Sequence, residues 1–287
     1  MINIRILETP EEMQKVEDLQ RIVWPGCETD VVPLHVLVTV AHNGGIVLGA
    51  YDGEGNDLLG LLFGFPGLYH TPDGPRPKHC SHQMGVHPEA RDAGIGMALK
   101  RAQWQIVRKQ GLDRITWTYD PLLSRNGNLN IGRLGAVCNT YMREVYGEMR
   151  DGLNVGLASD RFQVDLWVNT RRVEGCMGDH PMPPLTMKDL DDANVTYLFP
   201  VDLNSRFIRP SSDFLAPQGN LLALEIPSDF LTIKAEDFEL ALTWRMLTRE
   251  VFETCFSAGY LVTDFIYDTS GYRPRSFYLL THGEATL

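Results

Sequence analysis

An α/β fold with a mixed, mostly antiparallel sheet flanked by helices is predicted by three observations. Short apolar runs with strand periodicity alternate with amphipathic helical stretches through the first part of the chain. Turns rich in Gly, Pro and Asp separate neighbouring runs, the sequence form of antiparallel hairpins. One glycine-rich turn joins a strand directly to a helix.

The elements follow in order. Ile2, Ile4 and Ile6 alternate with polar residues as a first strand. Thr9-Pro10-Glu11-Glu12 supplies a capping hydroxyl, a proline at the first helical position and two early acids, so a helix starts there. It runs to Val23, before Pro25-Gly26. A second helix covers residues 34–41 and stops at Asn43-Gly44-Gly45. Residues 46–51 and 58–65 form a hairpin around Asp52-Gly53-Glu54-Gly55-Asn56. After the turn Thr71-Pro72-Asp73-Gly74-Pro75, residues 79–86 form a strand that ends at His87-Pro88, because proline brings no N–H to a ladder. The next helix carries Ile95, Leu99, Ala102 and Ile106 on one face and closes at Gly111. Residues 112–119, 138–146 and 162–168 read as strands, and 126–134 as a short helix before Gly135.

From 171 to 184 periodicity is lost and the chain reads as a linker. Beyond it, 221–226 reads as a strand, 236–258 as a long helix with Leu240, Trp244, Leu247, Val251 and Cys255 on one face, and 260–267 as a strand. Strand, helix and strand recur in the earlier order, which predicts an α/β extension built as a degenerate half-repeat. Residues 227–238, where the glycine turn would recur, contain no glycine. The expected domains are 1–172 and 185–287.

Composition excludes several classes. With 44% hydrophobic and 22% charged residues over 287 positions, the chain is neither disordered nor fibrous. A net charge of −11 repels phosphate backbones, so nucleic acid is not expected as a partner. Cys27, Cys80, Cys138, Cys176 and Cys255 are odd in number and form no C-x-x-C pair, against a disulfide framework or a structural zinc. The N-terminus has no basic region followed by an apolar run, and the most apolar stretch, 58–69, is broken by Gly60, Gly64, Pro66 and Gly67, short of the ~18 residues of a membrane span. A cytoplasmic protein with no membrane partner is the expectation. His79-x-x-His82 has metal-like spacing, but residues three apart on a strand face opposite ways, so no metal is expected.

The chemistry-bearing element is Val86-His87-Pro88, then Arg91-x-x-Gly94-x-Gly96, then helix. Glycines at that spacing let a ligand approach the backbone, and the free N–H groups of a helix start attract phosphate. The full phrase V-H-P-x-x-R-x-x-G-x-G-x-x-L closely resembles the coenzyme A signature of the Gcn5-related N-acetyltransferase (GNAT) superfamily. The resemblance covers residues 1–172. Trp117-Thr118-Tyr119-Asp120-Pro121-Leu122, Asn126, Asn130, Leu134-Gly135 and Ser159-Asp160-Arg161-Phe162 look like a poorly characterised branch of predicted acetyltransferases with a C-terminal extension.

The resemblance implies a GNAT-like fold and acetyl-CoA, or another acyl-CoA, as co-substrate. The backbone of Met84 and Val86 would bind the pantetheine arm as an added strand. N–H groups of Arg91, Asp92, Ala93, Gly94, Ile95 and Gly96 would hold the pyrophosphate. Lys100 and Arg101 read as a solvated helix face ahead of an adenosine-phosphate contact. On a regular strand Cys80, His82, Met84 and Val86 share one face, with His79, Ser81 and Gln83 on the other. His82 reads equally as the base for an amine acceptor or as a packed histidine. Cys80 reads as a small buried hydrophobe ahead of an acyl acceptor.

The family's general-acid tyrosine falls on Ile131, which cannot donate a proton. Tyr119, Tyr141 and Tyr146 are substitutes, of which Tyr141 is the candidate. Asp160-Arg161 fits a structural ion pair or a carboxylate anchor. Arg245 and Arg249 fit an acidic substrate or pairing with Glu250 and Glu253. The expected activity is acyl transfer to a small-molecule amine by direct attack on the thioester, the acidic surface favouring a cationic acceptor. The alternative is a non-catalytic acyl-CoA-binding or scaffold protein, and a homodimer is a further expectation left open.

Overall fold

The computed structural model describes residues 2–26, 28–53, 55, 57–147 and 156–282; Cys27, and Glu54 and Asn56 of the expected turn, lie outside the described residues. The chain forms two compact units, the first running to Trp117 and taking back Trp167–Asn169, the second holding the described remainder. These units cut the chain differently from the expected boundaries at 172 and 185.

Unit 1 holds β1 (Asn3–Ile6), α1 (Pro10–Val23), α2 (Leu34–His42), β2 (Ile46–Tyr51), β3 (Leu58–Thr71), β4 (Gly74–Val86), α3 (Ile95–Lys109) and β5 (Arg114–Tyr119). Its strands run in the order β1-β2-β3-β4-β5, antiparallel except for β4 and β5, which are parallel. α1 starts as expected: Pro10 opens it, and Thr9 and Glu12 form a reciprocal capping box. α1 and α2 cover one sheet face through Met13, Val16, Leu19 and Leu37, packed on Val47, Leu61 and Phe63. α3 covers the opposite face so closely that a Cβ on Gly60 would meet Ile95 Cγ2 at 2.7 Å.

β3 and β4 extend well past their expected ends, through Pro66, Pro75 and Pro77, to a tight turn at Pro72-Asp73. Among the described residues β4 is paired to β5 at His79 and Cys80 alone, so Pro75 and Pro77 lie where β4 has an open side and a missing N–H costs nothing.

Unit 2 begins with α4 (Ser124–Gly127), which continues as a π-helical turn over Asn128–Arg133. Then come β6 (Val137–Met142), β7 (Arg161–Trp167), α5 (Arg171–Met177), α6 (Met187–Asp192), the two-residue strands β8 (Thr196–Tyr197), β9 (Val201–Asp202) and β10 (Arg209–Pro210), β11 (Leu221–Ile226), α7 (Phe230–Glu236), α8 (Phe238–Ser257), β12 (Leu261–Asp268) and β13 (Arg275–Thr281). Its main strand order is β7-β6-β12-β13-β11-β8. The expected linker is in part a helix, α5, whose first turn is capped by the Thr170 hydroxyl. The half-repeat holds for the order of elements only: β11 and β12 point the same way, but β13 lies between them, antiparallel to both. An aromatic core, with Phe162 of β7 against Phe252 of α8 at 4.6 Å and Tyr278 of β13 at 5.5 Å, ties the extension to the strands before it.

Candidate functional site

The turn between β4 and α3 has unusual backbone. Asp92 and Gly94 both adopt left-handed backbone, at φ 65° and 78°. Gly94 is the N-cap of α3 and has no side chain to cap the first-turn donors, and the first turn of the helix itself holds no acid. A Cβ on Gly94 would meet nothing within 4 Å, which leaves the space above these donors open. Residues 91–94 are exposed, whereas Ile95 is buried and anchors the helix start to the sheet. The expected pyrophosphate residues are thus brought together, and the site fits the group.

β4 leads to this turn along an unpaired edge. Parallel pairing joins His79 to Ile115 and Cys80 to Thr116, and no pairing of β4 with β5 is described from Ser81 to Val86. The two strands fork there, leaving the backbone of Met84 and Val86 available to an added extended chain. A splayed strand running into a glycine cradle is the arrangement that the sequence resemblance implies. The fold resembles the GNAT type.

No protein-family model matches the chain, and no curated protein does. Several solved structures are similar to it. Arabidopsis thaliana NAA60 in complex with acetyl-CoA is 16% identical, with a TM-score of 0.47 over 58% of this chain and 99% of that one. The ribosomal-protein-S18-alanine N-acetyltransferase of Escherichia coli is 13% identical, with a TM-score of 0.44 over 59% and 96%. An aminoglycoside 6'-N-acetyltransferase of Acinetobacter baumannii is 16% identical, with a TM-score of 0.35 over 42% and 81%.

The side chains of β4 do not alternate as expected. Phe63 faces Gln83 and Gly64 faces Ser81, so His82 is the extra residue of a β-bulge. Met84 and Val86 lie opposite Leu62 and Gly60 on the α3 face, while a Cβ on Gly85 would meet Trp24 and Val23 of the α1 side. His82 packs against Phe63 and Phe65, at 5.1 and 5.8 Å, on that α1 side. The expectation that His82, Met84 and Val86 share a face is therefore corrected: the bulge moves the histidine to the other one. His82 keeps an exposed edge, and burial of the rest of its ring lowers its pKa, so the imidazole is neutral at pH 7.

Lys100 also departs from expectation. It is 5% exposed rather than solvated, and its Nζ donates to Ser81 Oγ at 2.9 Å and to Gln103 Oε1 at 3.2 Å. The same amine stands 3.8 Å above the Trp117 ring. Burial pulls its pKa down to about 7. Gln103 reaches on to His79 Nε2 at 3.0 Å, and burial, reinforced by the charge of Lys100, pulls His79 down to about 4. No motif announces this cluster; Ser81 and Trp117 lie far from Lys100 in sequence and meet it only through the fork.

A cleft of about 700 Å³ opens between α1 and the start of β3 and reaches His87, Glu89 and Ala90, just before the turn. Its charged lining is mixed, Lys15 standing with Asp18, Asp57 and Glu89.

In unit 2, the Tyr141 hydroxyl donates to Asp160 Oδ2 at 2.8 Å, and burial pushes its pKa well above the ordinary phenol value. Asp160 also accepts hydrogen bonds from Nε and Nη2 of Arg249, at 2.8 and 2.9 Å. Arg245, 1% exposed, donates to Asp120. Both arginines thus pair with aspartates, and Glu253 pairs with Arg143 instead. Arg161 donates to its neighbour's backbone, Asp160 O, at 2.8 Å. Ile131, at the expected tyrosine position, is fully buried.

Proposed function

We propose that the protein transfers the acyl group of acetyl-CoA, or another short acyl-CoA, to the amine of a small molecule. The observation that carries this is the conjunction of the uncapped Gly94 helix start with the unpaired edge of β4 that leads into it. Acyl-CoA supplies an activated thioester. Backbone donors of residues 92–96 hold its pyrophosphate, and Met84 and Val86 hold its arm. His82, neutral at pH 7, takes the proton of the attacking amine, directly or through water. Attack is direct, without an acyl-enzyme intermediate.

A melting titration tests the reading: acetyl-CoA at 100 times its dissociation constant adds about 2.7 kcal/mol to stability. Gly94→Val puts a branched side chain into the cradle and, at φ 78°, costs about 1–2 kcal/mol in backbone strain. It should weaken coenzyme binding at least about tenfold, with helix content retained. No shift for the natural protein at roughly millimolar coenzyme refutes the proposal.

A second reading, an acyl-CoA-binding scaffold without catalysis, is favoured by Ile131 and by the commitment of the Tyr141 proton to Asp160. Release of free thiol from acetyl-CoA in the presence of an amine panel separates the two.

A further inference from the structure

Lys100 is a buried amine with no acidic partner among the described residues. Its polar neighbours are the Ser81 hydroxyl and the Gln103 carbonyl, and its aromatic neighbour is Trp117. Such an amine is expensive to charge unless an anion joins it. Its place in the fold shows where that anion would come from. His79–Ile115 and Cys80–Thr116 are the last paired positions, so Ser81 and Trp117 are the first residues of the two strands beyond the fork. Lys100 Nζ touches both and closes the fork from the α3 side.

The pantetheine arm, from phosphate oxygen to sulfur, is about twelve bonds long, the length of about four residues of extended chain. Laid along β4 from Val86 past Met84, four residues bring its sulfur to the level of His82, the bulge residue next to Ser81.

We infer that Ser81 and Lys100 form a binding site for the sulfur of coenzyme A, in which the Ser81 hydroxyl meets the sulfur and Lys100 supplies positive charge through it. This rests on the acyltransferase reading above. As the acceptor nitrogen bonds to the carbonyl carbon, the C–S bond breaks and its electron pair goes to sulfur. The Ser81 hydroxyl donates a hydrogen bond to the departing thiolate and accepts one from the Lys100 ammonium, which stays charged. The proton lost by the acceptor amine leaves through His82 to solvent. Gln103 holds the amine in place, and His79, the titratable group that faces it through Gln103, remains neutral near pH 7. The pair thereby assists the leaving thiolate where the tyrosine position holds Ile131.

The test needs no acceptor. Coenzyme A is bound to the natural protein, to Lys100→Met and to Ser81→Ala, and ionisation of the bound thiol is followed by its thiolate ultraviolet absorbance against pH, with desulfo-coenzyme A as blank. The bound thiol should ionise at least about one pH unit below its ordinary value near 8.5. In Lys100→Met it should return to that value or above, and Ser81→Ala should fall between. Equal ionisation in the natural protein and Lys100→Met, both binding coenzyme, overturns the proposal. Should the variants fail to fold, the natural protein alone decides: its preference for coenzyme A over desulfo-coenzyme A should grow about tenfold as pH rises through that ionisation, and a preference flat with pH overturns the proposal. Failure of the natural protein to bind either compound instead refutes the acyltransferase reading.

Discussion

His82 shows how much one residue can depend on pairing. Its identity and place before the glycine turn are legible in the sequence, but its face is not, because the bulge arises from how β3 and β4 register with each other. Partial burial then sets its chemistry. With its pKa below the ordinary imidazole value, the base stays neutral to lower pH, so the acid limb of the pH–rate profile should lie below about 6.5. His82→Ala should slow thiol release about 10²–10⁴-fold; a limb at or above the ordinary value counts against the assignment. His79 and Lys100 affect stability rather than base catalysis. Both have folded pKa values below their unfolded ones, so the unfolded chain binds the extra proton and stability rises with pH across each window. For His79 the window runs from about 4 to about 6.5, for a change on the order of 3 kcal/mol. For Lys100 it runs from about 7 to about 10.4, on the order of 4 kcal/mol. Urea melts across this range should show two rises, and Lys100→Met should remove the upper one.

Among the elements, α3 and α7 make the sharpest contrast. Each follows a strand at the expected place of a glycine turn, yet α7 is capped by Asp229, whose carboxylate accepts from Thr232 N. An acid placed there satisfies a first-turn donor and repels phosphate, so the start of α7 is not a cradle. That difference is legible in sequence because caps are local: Gly94 against Asp229. The long β3–β4 hairpin is not, since Pro66, Pro75 and Pro77 read as breakers until the open side of β4 is known. Burial of Lys100 is hidden for a similar reason. On the helix it follows Leu99 and precedes Arg101, and nothing local distinguishes it from a solvated cation.

At the scale of the molecule, residues 1–172 carry the family resemblance but are not a compact unit. Phe162 packs on Phe252 and Tyr278, Tyr119 bonds Tyr278 at 3.1 Å, and Val262 of β12 pairs with Cys138 of β6. A chain ending at Arg172 would bare that aromatic core and leave Asp160 without Arg249. It should be insoluble or protease-sensitive at temperatures where the full chain is folded; a soluble, cooperatively melting fragment would contradict this. Breaking the buried Asp160–Arg249 pair alone should cost about 3–5 kcal/mol.

The place of β13, between β12 and β11, also orders events during synthesis. Leaving the ribosome, β6 and β7 must wait with their aromatic faces bare until Tyr278 has emerged, while the strands and helices of unit 1 up to Trp117 are already complete. The second unit therefore stays incomplete for longer than the first, and a translational pause shortly before β13 would prolong the exposure of that aromatic surface.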